Sequence, residues 1–489
     1  MNGRVIDPRM PVLVGVGVAS DDMEAIGLMT EAVRWACLDA GPGCSPTKLD
    51  RLAVPEGSWS HVSPGRLVAD RLGAASARTH FYQLGIPQQS LINGALAAIL
   101  SGESDLAVVV GGESKRWARN EERAGRPVPS LAGDPGRGDI LHERRGPIVE
   151  PVEVAHRLWD PVQQYAMIEN ALRHAEGRSV TGQAGLTSGL WARFNQVARN
   201  NPRAAFATPR SADEIATPTR DNRPLAFPSN KWHSTQWVVD QAAALVFASF
   251  GEAERMGIAR DRMVFPLVGI ESSHAVSLLA RGEPHRWPAM AVLGEEAARR
   301  LGSPVSACEV VELYSCFPAA VMVQQRELGF DWDATPTITG GMAFAGGPFN
   351  NFVFQSLAEV VGRLREKPDV RGLVTSVSGL LTKPGLGVWS ATPDGKLPSL
   401  ADLAFEAEAR TPVLPVLDSV DAYEGPLMVV TSTVTYDGLE PVQAVAVGTT
   451  PGGRRTVTYA TSADVLAAAE AGALEGAEVE TSHGIFSLT

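Results

Sequence analysis

The stretch Tyr82–Ser114 reads YQLGIPQQSLINGALAAILSGESDLAVVVGGES and decides the fold of the chain. It opens with a Gly- and Pro-containing segment that favours a tight turn. Apolar residues then recur at helical spacing over Gln88–Ser101, which predicts a helix. Leu106–Val110 is a short uninterrupted apolar run, typical of a strand buried on both faces. Turn, helix and buried strand in this order predict a layered α/β protein.

The same alternation of predicted strands and helices occurs in the rest of the chain. Met10–Val18 is an apolar run with glycines that predicts a first buried strand, and Met23–Gly41 has the apolar spacing of a helix. The second half is predicted to contain strands at Cys308–Leu313 and Arg371–Val377 and helices at Pro318–Gly329 and Asn351–Glu366. Strands that alternate with helices indicate parallel sheets covered by helices.

Changes of composition divide the chain into four expected domains. Residues 115–224 are dense in Trp, Arg, Pro and Gly, so we expect an inserted loop domain that lies over a sheet. Residues 1–114 and 225–255 form the first α/β half, and residues 256–410 form the second. Residues 411–489 alternate apolar and polar residues between the turns Asp437-Gly438 and Pro451–Gly453. This pattern predicts an additional C-terminal β-rich domain, a small barrel of the OB type.

Composition and charge indicate the class of protein and the kind of partner that it binds. The chain has 489 residues, 44% hydrophobic and 20% charged, as in an ordinary large globular protein. Its net charge is −12, and residues 411–489 carry ten Asp or Glu against only Arg454 and Arg455. This charge argues against a nucleic-acid partner and favours a protein partner for the acidic C-terminal domain.

Cysteine usage and hydropathy predict the compartment. Four cysteines in this length do not form a disulfide framework, and the N-terminal segment lacks the apolar core of a signal peptide. No apolar run reaches the 18 residues of a membrane span. We therefore expect a cytoplasmic protein without a transmembrane helix. No spacing of His, Cys, Asp or Glu typical of a metal site is found in the sequence.

Three further motifs follow in order. They are Tyr314-Ser315-Cys316-Phe317 after a predicted strand, Gly346-Gly347-Pro348 within TITGGMAFAGGPFNN, and SVSG at Ser376–Gly379, followed by LLTKPG. Together with Tyr82–Ser114, they resemble the thiolase superfamily. The whole chain most resembles the actinobacterial thiolase-like proteins of type 1, which are often labelled acetyl-CoA acetyltransferases. This resemblance implies a duplicated, five-layered α/β fold.

The residues that carry thiolase chemistry are missing from the corresponding positions. The resemblance places the nucleophilic cysteine at Gly85 or within a residue or two of it, where Ile86, Pro87 and Gln88 are no nucleophiles either. It places the histidine of the GHP motif at Gly347 and the second cysteine near Ser376–Gly379. No cysteine lies between Cys44 and Cys308. Without the nucleophile the acyl-enzyme thioester does not form. The resemblance thus implies a degenerate site without conventional thiolase activity, and whether any catalysis remains is left open.

Tyr314 and Cys316 are the remaining catalytic candidates. Tyr314 stands where the family has the Asn or His of its NEAF or HDCF motif, and its hydroxyl is suited to donate a proton to an enolate. The alternative is a packed tyrosine with a satisfied hydroxyl. Cys316 matches a family cysteine that is not the nucleophile, and its alternative role is that of a small core side chain. The predicted ligand pocket contains Gly85, Gln88, Tyr314, Cys316, Gly346 and Gly347.

Other polar residues fit both a functional and a structural interpretation. Lys115 and Arg116 are suited to meet a CoA phosphate, or they lie in a solvated loop. His233 and Asp240 are seven residues apart and are typical of structural or surface groups. Related proteins have the motif TKH where this chain has Thr382-Lys383-Pro384. The histidine of that motif, a further candidate base, is therefore absent here.

The resemblance leaves three functions open. The first is a thiolase-like, acyl-CoA- or lipid-related protein that binds CoA or acyl-CoA in the degenerate pocket and needs no other cofactor. The second is a retro-aldol lyase for β-hydroxyacyl-CoA esters of steroid side chains, with Tyr314 as the acid/base group and the fused C-terminal domain in place of an OB-fold partner. The third is a non-catalytic protein-binding scaffold. The family default is a homodimer, and a monomer is the alternative.

Overall fold

The structure is a computed structural model that describes residues 6–489. Its strands are β1 Pro11–Ala19, β2 Arg51–Pro55, β3 Arg78–Tyr82, β4 Leu106–Ser114, β5 Ile140–His142, β6 Pro224–Ala226, β7 Ser229–Asn230, β8 Asp240–Ser249, β9 Phe265–Glu271, β10 Val310–Glu312, β11 Arg371–Ser378, β12 Lys383–Ser390, β13 Ser399–Asp402, β14 Gly425–Asp437, β15 Glu440–Thr449, β16 Arg455–Ala460, β17 Glu478–Ser482 and β18 Ile485–Leu488. Its α-helices are α1 Ala25–Ala40, α2 Pro64–Leu72, α3 Gln88–Ser101, α4 Lys115–Arg123, α5 Pro151–Ala155, α6 Pro161–Ala175, α7 Val180–Arg199, α8 Ala212–Ala216, α9 Phe250–Arg255, α10 Pro288–Leu301, α11 Pro318–Leu328, α12 Gly341–Phe344, α13 Phe352–Glu366, α14 Ala404–Arg410 and α15 Ala463–Glu470.

Two sheets with one shared topology form the centre of the protein. The strand orders are β1-β8-β4-β2-β3-β5 and β10-β11-β12-β9-β13. The series β2-β4-β8-β1 corresponds to β10-β11-β12-β9, and in both the first pair is parallel and the next two pairs are antiparallel. The predicted duplication of an α/β unit is therefore confirmed.

Helices α3 and α13 form the layer between the two sheets, since each contacts strands of both. Leu91 and Ile99 are buried on one side of α3, and Ile92 and Leu96 are buried beside them. A helix that is apolar all round is expected in such an inner layer. It ends at Gly102, whose φ of 80° closes the last turn at no steric cost. With α1 outside the first sheet and α10 outside the second, the protein has five layers.

The sheets differ from the sequence expectation in direction. Alternating strands and helices predicted parallel sheets, and this was wrong in part, because β8 is antiparallel to both β1 and β4 and β12 is antiparallel to both β11 and β9. Moreover, β5 pairs with β3 at the edge of the first sheet, although it lies in the expected insertion. Buried strands are apolar in either direction, so hydropathy does not reveal their orientation.

The C-terminal strands β14 to β18 form a closed barrel. The order β14-β15-β16-β18-β17 returns to β14, with α15 between β16 and β17. β16 and β18 are parallel, and the other neighbours in the barrel are antiparallel. The short strands β6 and β7 extend the barrel sheet, since β6 pairs with β14 and β7 pairs with β6. The OB-type assignment and the four-domain division stay predictions.

The barrel is attached to the rest of the protein by buried polar contacts. The guanidinium of Arg173 on α6 lies 2.5 Å from the Glu475 carboxylate, with side-chain exposures of 7% and 1%. Asn170 Nδ2 donates to the Ser432 carbonyl at 2.9 Å. Arg455 on β16 donates to the Gly282 carbonyl at 2.7 Å, so the barrel contacts both the insertion and the second half.

The apolar side chains of the barrel are shared between two cores. Val445 and Val457 pack into the main core cluster of the protein. Val429 and Val434 belong instead to a separate cluster inside the barrel. One face of β15 and β16 is therefore covered by the rest of the protein, which ties the barrel to the α/β core.

Candidate functional site

A large cavity lies where the first half, the insertion and the second half meet. Its volume is about 1010 Å³, at the upper end of the range typical of small-molecule sites. The turn before α3 contributes Gly85 to its wall, and the loop after β10 contributes Tyr314 and Cys316. Gly347 enters from the loop between α12 and α13. Four of the six predicted pocket residues thus lie around one cavity.

Two predicted pocket residues do not line the cavity. Gln88 is buried at the start of α3, where its side-chain oxygen accepts from the Val353 N–H at 2.8 Å and joins α3 to α13. Gly346 lies behind the wall, and a Cβ built on it would be 2.5 Å from Gln241 Oε1. The motif around each residue was recognised in the sequence, but local spacing does not show the direction in which a residue faces.

The segment Ser376–Gly379, where the second family cysteine is predicted, lies partly at the cavity and partly in the core. Ser378 and Gly379 line the cavity. Ser376 is 1% exposed and lies on the other side of β11, where a Cβ built on Gly385 would come within 2.3 Å of its hydroxyl oxygen. Val377, the next residue of β11, lines the cavity. Because neighbouring side chains of a strand point to opposite faces, Ser376 faces away from the cavity.

The two positions predicted for the family nucleophile and base are unfavourable for a side chain. Gly85 has a φ of 101°, and a Cβ there would lie 3.0 Å from Ile148 Cγ1. A Cβ on Gly347 would lie 2.1 Å from Thr235 Cγ2. These glycines let neighbouring groups approach the backbone closely, so the family's cysteine and histidine do not fit into this structure unless their surroundings move.

Tyr165 joins Tyr314 and Cys316 in the cavity wall. Its side chain extends from α6, stacks on Phe317 with ring centroids 4.5 Å apart, and lines the same cavity as Cys316. The sequence analysis missed Tyr165, because it belongs to no motif and lies about 150 residues from Tyr314 in the chain. Only the packing of the insertion on the second half brings the two tyrosines together.

Burial keeps this cluster protonated at neutral pH. Burial raises the pKa of the Cys316 thiol to about 12. Burial is also the largest cause of the raised pKa of both the Tyr314 and Tyr165 hydroxyls, with the neighbouring Cys316 adding to each. The thiolate is the nucleophilic form of cysteine, so Cys316 is unreactive at neutral pH. The tyrosines are suited to donate hydrogen bonds or protons and poorly suited to accept protons.

Cationic side chains line the part of the cavity formed by the insertion and its return segment. They are Arg116, Arg119, Arg223 and Lys231. Arg116 Nε lies 2.8 Å from the Asp240 carboxylate, which compensates its charge. Within residues 6–489, Arg119, Arg223 and Lys231 have no carboxylate within 4.0 Å. A cationic wall in a chain of net charge −12 favours an anionic ligand.

The remaining candidates have structural contacts. His233 is buried, its Nδ1 accepts from the Asn230 N–H at 3.1 Å, and burial lowers its pKa to about 4. Asp240 accepts from the Trp117 N–H at 2.8 Å. The Lys115 ammonium lies over the indole ring of Trp237 outside the cavity wall.

Residues 6–489 contain no group of three or more His, Cys, Asp or Glu side chains arranged to hold a metal ion. In the same part of the chain, no helix combines the length and the apolar character that crossing a bilayer requires.

Comparisons with known proteins agree with the fold and the motif order. No family model and no curated protein matches the chain. Solved structures do match it. An acetyl-CoA acetyltransferase from Syntrophomonas wolfei has 15% identity and a TM-score of 0.57, and covers 78% of this chain and 99% of its own. The Ltp2–ChsH2(DUF35) aldolase has 18% identity and a TM-score of 0.60, and covers 78% and 98%. At these identities both show the fold alone.

With its duplicated sheets, its layered helices and its ordered motifs, the chain belongs to the thiolase superfamily. Within it, the chain is similar over almost its whole length to a monomeric SCP2-thiolase-like protein of type 1 from Mycobacterium smegmatis. The identity is 26%, the TM-score is 0.83, and the match covers 99% of this chain and 100% of the other.

Proposed function

We propose that the protein binds an acyl-CoA or a related anionic lipid thioester in the large cavity, and that it does not perform conventional thiolase chemistry. The observation that carries the proposal is the coincidence of a cavity of about 1010 Å³ with three uncompensated cationic side chains in its wall. The superfamily resemblance supports the same class of ligand.

The two parts of such a ligand have separate partners in the cavity. Val162, Phe206 and Phe317 offer apolar surface to an acyl chain. Burial of one CH₂ group contributes about 0.8 kcal/mol, roughly a fourfold change in affinity. Arg119 and Arg223 are suited to the phosphates, since guanidinium groups form paired hydrogen bonds with phosphate oxygens.

Isothermal titration with CoA and with acyl-CoA esters of increasing chain length tests the proposal. We expect affinity to increase with chain length and to fall with added salt. Arg119→Ala combined with Arg223→Ala should weaken binding at least tenfold. Arg123→Ala is the matched control, because Arg123 lies on the same helix α4 but outside the cavity wall. Equal affinity for all chain lengths, or equal loss in the control, would contradict the proposal.

A retro-aldol lyase acting on β-hydroxyacyl-CoA esters is the second candidate function. The observation that favours it is the protonated pair Tyr165 and Tyr314 in the cavity wall, since the enolate of such a cleavage needs a proton donor. Release of an aldehyde or ketone from a β-hydroxyacyl-CoA, lost in Tyr314→Phe and retained in Tyr423→Phe, would support it. Tyr423 is the control because it lies in the C-terminal region, where its hydroxyl donates to the Pro426 carbonyl.

The remaining parts of the proposal concern compartment and partners. We propose a cytoplasmic protein without a nucleic-acid partner, with the acidic barrel as the surface for any protein partner. The homodimer and the monomer both stay predictions for this chain, and light scattering of the purified protein distinguishes them.

A further inference from the structure

A second cavity lies beside Gly85, next to the large one. Its volume is about 380 Å³, and its lining includes Gly85, Ser90, His142, Glu271, Lys383 and Asp402. Gly85 lines both cavities. The second cavity therefore adjoins the position predicted for the family nucleophile, but its polar side chains come from α3, β5, β9, β12 and β13.

Lys383 differs from the other lysines of the chain. The sequence contains six, at positions 48, 115, 231, 367, 383 and 396, and only Lys383 is buried, at 3% exposure. Among residues 6–489 no carboxylate lies within 4.0 Å of its Nζ. Buried lysines normally have a charge partner, so its position in a cavity wall needs another explanation.

The hydrogen bonds of Lys383 suit a neutral amine. Its Nζ donates to the carbonyl oxygens of Gly85 at 3.2 Å and Arg145 at 3.1 Å. A neutral amine has two N–H groups, which these two carbonyls satisfy, and its lone pair remains free of any described protein group. Burial, followed by the nearby Arg144, lowers the pKa of the ammonium, against the smaller opposing effect of Glu150. Desolvated lysines of this kind are the ones that act as nucleophiles.

Glu271 provides a proton donor in the same cavity. Its carboxyl accepts a hydrogen bond from the Ser90 hydroxyl, and burial raises its pKa to about 7. A carboxyl that retains its proton near neutral pH is suited to protonate a departing oxygen. An amine and a carboxylic acid thus line one cavity that is large enough for a small organic molecule.

We propose that Lys383 is a nucleophilic amine that condenses with a small ketone or β-dicarbonyl compound in the second cavity. The nitrogen attacks the carbonyl carbon and forms a C–N bond. The carbonyl oxygen then leaves as water, protonated from the Glu271 side, and the nitrogen loses its protons to solvent, which gives an imine. With a β-dicarbonyl compound, transfer of one proton from the intervening carbon through solvent to the nitrogen gives the conjugated enaminone. No oxidant or reductant is required.

Pentane-2,4-dione is the probe that tests this inference, because its enaminone has a near-ultraviolet band that neither the free diketone nor a free amine has. The native full-length protein should gain the mass of one diketone less one water. Peptide mapping should place this adduct on Lys383. An adduct spread over the exposed lysines, or none at all, would overturn the inference.

Two variants complete the test. Lys383→Arg keeps donors for the two carbonyls but offers no nucleophilic amine, so it should fold and lose the adduct. Lys396→Met removes an exposed lysine and should form the adduct as the wild type does. An adduct that persists at the same level in Lys383→Arg would refute the inference. The inference is independent of acyl-CoA binding, since failure of the titrations with acyl-CoA would leave the diketone adduct unchanged.

Discussion

The methyl group of Thr235 occupies the place where a side chain at Gly347 would begin. A Cβ built on Gly347 lies 2.1 Å from Thr235 Cγ2, far inside the contact distance of two carbon atoms. In the thiolases that this chain resembles, the corresponding position carries the histidine that activates the nucleophile. The position at which the family histidine is predicted therefore has neither that side chain nor the space for it.

The first prediction follows from this contact. Gly347→His should lower the free energy of unfolding by about 1–3 kcal/mol or more, because overpacking forces Thr235 and the backbone apart. Thermal denaturation checks this. Gly362→Ala is the control, since Gly362 lies in helix α13 with open space around it, and alanine there should be neutral or slightly stabilising. Adding Thr235→Gly to Gly347→His should recover part of the loss; no recovery would show that Thr235 is not the obstacle.

The second prediction concerns the missing nucleophile. The wild-type protein should show no thiolysis of acetoacetyl-CoA and no covalent acyl adduct, because no cysteine lies at or near Gly85 and the Cys316 thiol stays protonated. Gly85→Cys should also stay inactive and should lose about 1–3 kcal/mol of stability, since its φ is 101° and its Cβ meets Ile148. Enzyme assays, mass spectrometry and thermal denaturation measure these outcomes. A thioester on Cys316 would contradict the assignment of that residue to the unreactive form.

The third prediction concerns the attachment of the barrel. Arg173→Ala should destabilise the whole protein by about 3–5 kcal/mol, because it leaves the Glu475 carboxylate buried without its partner. Arg363→Ala, which breaks an exposed pair with Glu366, should change stability little. Removal of residues 411–489 should expose the part of the main core that Val445 and Val457 cover, and should cause aggregation. A truncated protein with unchanged thermal stability would show that the barrel is an independent unit.

The fourth prediction is a pH dependence of stability. Burial lowers the pKa of His233 from 6.5 to about 4 in the folded protein. The stabilisation from a neutral His233 is therefore present above pH 6.5 and is lost as the pH falls towards 4, by about 3 kcal/mol in total. His233→Gln, whose side chain does not titrate, should reduce this loss in denaturant unfolding measured across that range. Between pH 7 and 8 the difference between variant and wild type should be constant, and a parallel loss in both proteins at acid pH would exclude His233 as the cause.

Much of the architecture could be predicted from the sequence, because it depends on local patterns. The helix Gln88–Ser101 was expected with the bounds that the structure shows, since its apolar spacing and the following Gly102 act within a few residues. The apolar runs at β1 and β4 identified buried strands in the same way. Strand direction was predicted less well, because β8 joins β1 and β4 through hydrogen bonds between residues more than 100 positions apart.

The sequence by itself determined the thiolase arrangement and, through the resemblance, predicted degenerate catalytic positions, because motif order and residue identity require no coordinates. Only the tertiary structure decided what occupies those positions now. Thr235 fills the space at Gly347, Tyr165 from the insertion stacks on Phe317 in the cavity wall, and Lys383 donates to the Gly85 carbonyl across almost 300 residues. Each of these contacts joins segments that are distant in the chain, and such pairs are set by the packing of layers on one another, which local periodicity does not encode.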